Sequence, residues 1–85
     1  MLAEISDASR LQKDRTTKYR IYARCRIPIY WIVNLVDRQV EVFTKPRSGL
    51  TPCYQEHRVY TKNEAVPLVI AGKMLGEIPV KDLLP

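Results

Sequence analysis

An α+β arrangement, one long helix leading into an antiparallel meander, is what this 85-residue sequence predicts. Three stretches carry the expectation. Residues 9–25 place apolar and charged positions at helical spacing. Residues 29–33, Ile-Tyr-Trp-Ile-Val, are apolar at consecutive positions, the pattern of a strand covered on both faces. Residues 39–44 alternate strictly, Val40 and Val42 on one face and Glu41 and Phe43 on the other.

Taken in order, Met1 to Ile5 reads as the last part of a strand, with Glu4 and Ser6 on one face and Ala3 and Ile5 on the other. Ser6, Asp7 and Ser9 turn the chain into the helix. Ser9 followed by Gln12 forms a capping-box pair, each side chain able to satisfy an orphan N–H at the helix start. Pro28 pushes Ile27 out of the α region, so the helix stops near Arg24 or Cys25. Within it, Leu11, Lys18, Tyr22 and Cys25 fall on one line, flanked by Asp14 and Arg15. Arg10, Lys13, Thr17, Arg20 and Arg24 fall on the opposite, wet line. A lysine on the inward face needs a partner or a route to water, because losing ammonium hydration is costly. Asp14, four residues earlier, is in the favourable orientation for a helical ion pair. Pairing with Asp14, snorkelling and chemistry all remain open for Lys18.

Asn34 to Arg38 supplies the turn of a hairpin between the two apolar strands. Lys45 to Pro52 is a loop, punctuated by Pro46, Ser48, Gly49 and Pro52. Tyr54 to Tyr60 reads as a half-exposed third strand with His57 in its middle, where nothing nearby in sequence would orient it for catalysis. Leu68 to Ile70 and Gly76 to Val80 are short extended pieces around a turn at Gly72, kept at a sheet edge by Pro67 and Pro79. Lys81 to Leu84 closes the chain as a helical turn with its leucines packed down.

Composition narrows the function classes. At this length the chain is one domain at most and buries ~60–65% of its unfolded surface. The net charge is +5, yet residues 10–26 hold seven Lys and Arg against one acid, and everything else sums to −1. The basicity belongs to the helix and its exit, which suits a polyanionic partner. A merely solvated face is the competing reading. Cys25 and Cys53 form no C-x-x-C and the single His57 leaves no zinc-ligand set. Two lone thiols without a signal peptide imply a reducing cytoplasm. The longest apolar run, Ile27 to Val36, is too short to span a bilayer, so no membrane association is expected.

The ordered set EISDAS (4–9), D-x-x-x-K-Y at Asp14, Lys18 and Tyr19, IYAR (21–24) and IPIYWIVN (27–34) resembles the Uma-two family. QVEVF (39–43), VPLVI (66–70) and LGEIPVKDLLP (75–85) are similar to the tail of that family, so the resemblance covers nearly the whole chain. It implies a restriction-endonuclease-like mixed sheet and a metal-dependent phosphodiester hydrolase of the PD-(D/E)XK type. In such sites an upstream aspartate and a strand glutamate hold Mg²⁺, and a lysine faces them. Glu4 matches the glutamate, as catalytic residue and metal ligand. Ser6 stands where the lysine often lies, and Lys18 on the helix matches the family's lysine. Asp14 and Ser6 are candidates for a supporting role, and only if the chain cleaved unaided would Asp7 or Asp14 have to replace the upstream aspartate. The implied partner is nucleic acid, DNA before RNA, with Arg10, Lys13, Arg20 and Arg24 available to its backbone.

Departures from the family pattern shape the expectation. The upstream aspartate normally precedes Glu4 by many residues, and here three residues do. Residues 1–85 therefore read as a single, N-terminally truncated C-terminal portion of the domain, inactive alone, which would act with a missing N-terminal half or as a homo-oligomer. A non-catalytic remnant that binds nucleic acid or a protein through its basic helix is the alternative. A structural fragment that folds by self-association is a third reading. Arg26 and Ile29 stand where relatives read glycine and glutamate around I-P-x-Y-W, and the first bears on the helix exit.

Overall fold

A computed structural model describes residues 1–84 and places six strands and three helical segments in them. Strand β1 (Leu2–Ser6) leads into α1 (Leu11–Arg15) and α2 (Thr17–Arg24), followed by β2 (Ile29–Asn34), β3 (Gln39–Arg47) and β4 (Cys53–Thr61). The main sheet has the order β1-β2-β3-β4, with β1 parallel to β2 and the other pairs antiparallel. The expected meander is thus β2-β3-β4, and β3 runs three residues further into the expected loop, to Arg47. Pro85, the last residue of the LGEIPVKDLLP segment and of the expected domain, lies outside the described residues.

The expected single helix is bent. Thr16 Oγ1 donates to the Gln12 carbonyl at 2.6 Å, and the Thr16 N–H reaches back only three residues, to Lys13 at 3.3 Å. A threonine bonding back to the carbonyl four residues earlier commonly bends a helix. The expected Ser9–Gln12 capping box is absent, since the Ser9 hydroxyl bonds to Asp7 instead. Asp7 takes that role: its Oδ1 accepts from the Ser9 and Arg10 N–H groups and from Ser9 Oγ, while its carbonyl accepts from Leu11 N. The Ser9 hydroxyl also holds the Asp7 carboxyl below its ordinary range.

Packing on the helix side is aromatic. Ala23, Tyr30, Ile32, Phe43 and Tyr54 form a buried cluster, with Leu2, Leu11, Tyr19 and Tyr22 packed against it. Each hydroxyl in the cluster has a destination: Tyr30 donates to the Asp14 carbonyl at 3.0 Å and Tyr54 to the Ile27 carbonyl at 2.7 Å, and Tyr19 accepts from Tyr54 N at 2.8 Å. Burial pushes the Tyr54 hydroxyl up to about 12, so it stays a donor. Cys25, expected on the inward line, is exposed, because the helix ends at Arg24 and the chain leaves its spiral there. Trp31 is 3% exposed and sits on the opposite sheet face, as a strand covered on both sides requires.

That second face is covered by a separate hairpin. β5 (Ala65–Ile70) and β6 (Lys73–Pro79) pair with each other around Ala71 and Gly72, not with the edge of the main sheet as expected from Pro67 and Pro79. Val66, and Val80 at the start of α3 (Val80–Leu83), pack with Trp31, Val33 and Val40, joined by Leu83 and Leu84. The hairpin's apolar face is better buried on the sheet than beside it.

The helix exit carries a measurable conflict. Arg26 has φ +56°, while its N–H bonds to the Ala23 carbonyl and the Ile27 N–H to the Tyr22 carbonyl, both at 3.0 Å. This is the Schellman pattern, whose left-handed residue is normally glycine. An L side chain there costs roughly 1–2 kcal/mol, against the greater freedom glycine has when unfolded. Arg26→Gly is therefore expected to stabilise the fold by roughly 0.5–1 kcal/mol, read as a higher urea midpoint at unchanged slope.

Candidate functional site

The site lies where β1 meets the bent helix. Alternation along β1 turns Leu2, Glu4 and Ser6 toward the helix and leaves Ala3 and Ile5 exposed, as the sequence predicts. Lys18, on the first turn of α2, reaches the strand: its Nζ donates to Glu4 Oε2 at 3.3 Å and lies 3.2 Å from Asp14 Oδ1. One ammonium thus bridges two carboxylates from different elements. Tyr22, one turn later, donates to Glu4 Oε1 at 2.9 Å and fixes the carboxylate from its other oxygen.

Asp14 is the buried member of the group, with 0% exposure, against 22% for the Glu4 side chain and 37% for Lys18. Ser6 Oγ donates to its Oδ2, and its Oδ1 has Lys18 as the nearest charge but no aligned hydrogen bond. Asp14, followed by Glu4, holds the Lys18 ammonium above its ordinary value, so it is protonated throughout the neutral range. Burial, with the neighbouring Glu4, pushes the Tyr22 hydroxyl up as well, which keeps it a donor to Glu4. The structure brings together all four residues of the predicted group: Glu4, Ser6, Asp14 and Lys18. Arg10, Lys13, Arg20 and Arg24 are exposed on the outward line, and none makes an ion pair within 4.0 Å among the described residues.

A second polar network, not anticipated from the sequence, lies beside the first. Glu41 on β3 is in register with Ile32, which is in register with Glu4, so the two glutamates face the same side of the sheet two strands apart. Glu41 is buried, and Arg15 donates to it from Nε at 3.1 Å and from Nη2, a bidentate pair. Asn34 Nδ2 adds a bond at 2.8 Å, while Asn34 Oδ1 accepts from the Val36 and Asp37 N–H groups and shapes the hairpin turn. His57 stacks on Phe43 at 4.5 Å between ring centroids, with Nε2 4.0 Å from Glu41 Oε1. The alternation marked Glu41 as facing away from Val40. The distant Arg15, with Asn34 and Gln39, explains why a carboxylate is tolerated there.

The donor set does not fit a divalent ion unaided. Mg²⁺ takes hard oxygen ligands and keeps several waters. Glu4 is the carboxylate of the group with solvent access, since Asp14 is buried between Ser6 and Lys18. The Lys18 ammonium stands between the two, and no three His, Cys, Asp or Glu are grouped to hold a metal among the described residues. Glu4, the expected Mg²⁺ ligand, has Asp14 as its neighbouring carboxylate, and Asp14 is buried.

The fold is of the restriction-endonuclease-like α+β class: a mixed sheet carrying a glutamate on one strand, faced by a lysine from the helix packed on it. The chain belongs to the Uma2 family, described as "Putative restriction endonuclease", which matches residues 1–75. No curated protein matches the chain. Among the described residues no helix is long and apolar enough to cross a membrane.

Glu41 gives the site region an acid-sensitive support. Burial alone would raise its carboxyl, but hydrogen bonds from Arg15, Asn34 and Gln39 outweigh this and hold it below the ordinary 4.5. A carboxyl lowered by folding contributes stability above its unfolded value, and that contribution is lost as pH falls through the folded one. Asp7 and Glu56 are also lowered and add to the same slope. The expected result is that Glu41→Gln is less stable than wild type at neutral pH and loses less stability below 4.5, read from urea midpoints at each pH.

Proposed function

We propose that the chain serves endonuclease-type phosphodiester hydrolysis of nucleic acid, with DNA the first candidate, and holds one part of the catalytic site. The pairing of Glu4 with Lys18 at 3.3 Å, both open to solvent, is the observation that carries this reading. In it, Lys18 donates to a nonbridging phosphoryl oxygen and offsets charge developing there. Asp14 positions Lys18 from the buried side, and Tyr22 orients Glu4. Mg²⁺, the ion the family implies, would be held at Glu4 only beside a further accessible carboxylate, and the neighbouring Asp14 is buried against Ser6 and Lys18. The two free thiols favour a reducing, cytoplasmic setting.

The purified chain is expected not to cleave DNA or RNA with Mg²⁺. Supplying an aspartate-bearing upstream segment should create metal-dependent cleavage that Glu4→Ala or Lys18→Ala abolishes. Cleavage by the 85-residue chain alone that disappears in Glu4→Ala would instead show the site complete, with Asp7 or Asp14 as second ligand. Cleavage that survives both substitutions, with the upstream segment present, would sink the site assignment.

A non-catalytic binding role is favoured by a different observation, the outward line of Arg10, Lys13, Arg20 and Arg24, exposed and free of ion pairs among the described residues. If these contact phosphates, affinity falls steeply with salt, and replacing Arg20 or Arg24 flattens the slope by about one unit each. Affinity independent of salt, or no binding at low salt, leaves the face solvated and without a partner.

A further inference from the structure

We propose that the groove between the β5–β6 hairpin and the second sheet face binds a small amphipathic carboxylate, its apolar tail on Trp31 and its head on Arg58. This goes beyond the hydrolase reading and uses none of its residues.

Three rows of register partners cross β2, β3 and β4 on this face. Val33, Val40 and Tyr60 form the first, Trp31, Val42 and Arg58 the second, and Ile29, Thr44 and Glu56 the third. The hairpin covers them unequally. Val66 is fully buried in the cluster that holds Val33 and Val40 of the first row. A register shift follows between Leu68 and Val69, and a bulge of that kind bends the strand that carries it. Past the shift, Ile70 and Met74 are exposed. Between the second and third rows and the opposite wall of Pro67 and Val69, a groove of about 320 Å³ remains open. All its walls lie within residues 29–69.

The groove is apolar, and the polar groups on it are chiefly donors. Trp31 is 3% exposed, and its indole N–H makes no hydrogen bond among the described residues. Asp14 Oδ1 is the fully shielded side-chain atom that lacks a partner among them, so the indole N–H meets open space. The space Trp31 lines is this groove. An indole N–H can only donate, so it calls for an acceptor. Arg58, exposed at the mouth, makes no ion pair within 4.0 Å among the described residues. The acid two residues before it, Glu56, is taken by Lys45 at 2.5 Å. Lys45 and Arg58 against Glu56 leave the mouth a net charge of +1. A guanidinium fork matches a carboxylate through two parallel N–H bonds. Apolar walls with a few placed polar groups are the make-up of small-ligand sites, whose volumes begin at about 300 Å³. At about 30 Å³ for each water-sized group, this one holds a tail of about ten carbons.

The test is binding of sodium decanoate, below its micelle concentration, to the full 85-residue chain, read by the emission of Trp31, its only tryptophan. Decanoate is expected to change that emission saturably, with a dissociation constant on the order of 0.1 mM. Decanol, which lacks the charge, should bind about tenfold more weakly, and decyltrimethylammonium more weakly still. Arg58→Glu should reverse the preference, favouring decyltrimethylammonium over decanoate. Val69→Phe narrows the groove and should abolish the response to decanoate. Circular dichroism checks the fold of both variants, and Arg58 is exposed, so its substitution tests the site even if Val69→Phe is unstable. No saturable change with decanoate, equal affinity for decanol, or an Arg58→Glu chain that still prefers decanoate would each overturn the proposal. Emission is read without nucleic acid or cleavage, so either outcome leaves the hydrolase reading to its own assay.

Discussion

A carboxylate shut away from water costs of the order of several kcal/mol unless charge and hydrogen bonds replace its hydration, and Asp14 is in that position. Ser6 and Lys18 supply the replacement from opposite directions, one from the strand before the helix and one from the turn after Asp14. That requirement ties three elements together. β1 must sit where Ser6 can donate, α1 must end where Asp14 points inward, and α2 must start where Lys18 can reach back. Once Lys18 is drawn to Asp14, its remaining donors face Glu4, and the candidate catalytic pair follows from a structural need. The same ammonium serves both, which ties the position of Glu4 to that of Asp14.

Bending at Thr16 reconciles this with the aromatic core. A straight helix that turned Asp14 inward would carry a single apolar stripe. In the bent one, α1 turns Asp14 toward Ser6 of β1 and Leu11 onto the aromatic cluster, where α2 adds Tyr19, Tyr22 and Ala23. Arg15, at the end of α1, is directed to Glu41 on β3. Two neighbouring charged networks therefore lie under one helix, and their carboxylates differ in access: Glu4 is 22% exposed, whereas Glu41 is 3% exposed beneath a bidentate arginine. Their difference in access is what makes the first a candidate site and the second a support. Closed, fully bonded carboxylates stabilise a geometry; partly solvated ones are available to a ligand.

Sequence patterns reached the local elements well because they depend on spacing. The parity of Glu4 and Ser6, the burial of Trp31, the hairpin around residues 34–38 and the outward basic line follow from periods of two and of three to four residues. Errors arose where one residue redirects a period. Asp7 takes the cap from Ser9 by bonding two N–H groups and a hydroxyl, and the helix ends at Arg24 so that Cys25 leaves the inward face.

By itself the sequence determined which side chains share a face, where the helix begins and ends to within a few residues, and, through the ordered blocks around Glu4, Lys18 and Trp31, the family. Those properties are set by covalent spacing and backbone sterics. The tertiary structure alone decided that Asp14 is buried, that Lys18 answers two carboxylates at once, that Glu41 is held by an arginine 26 residues away, and that the last hairpin covers the sheet instead of extending it. Each of these is a contact between elements distant in sequence. Whether a charge is tolerated in such a contact depends on desolvation and on partners that no local window contains.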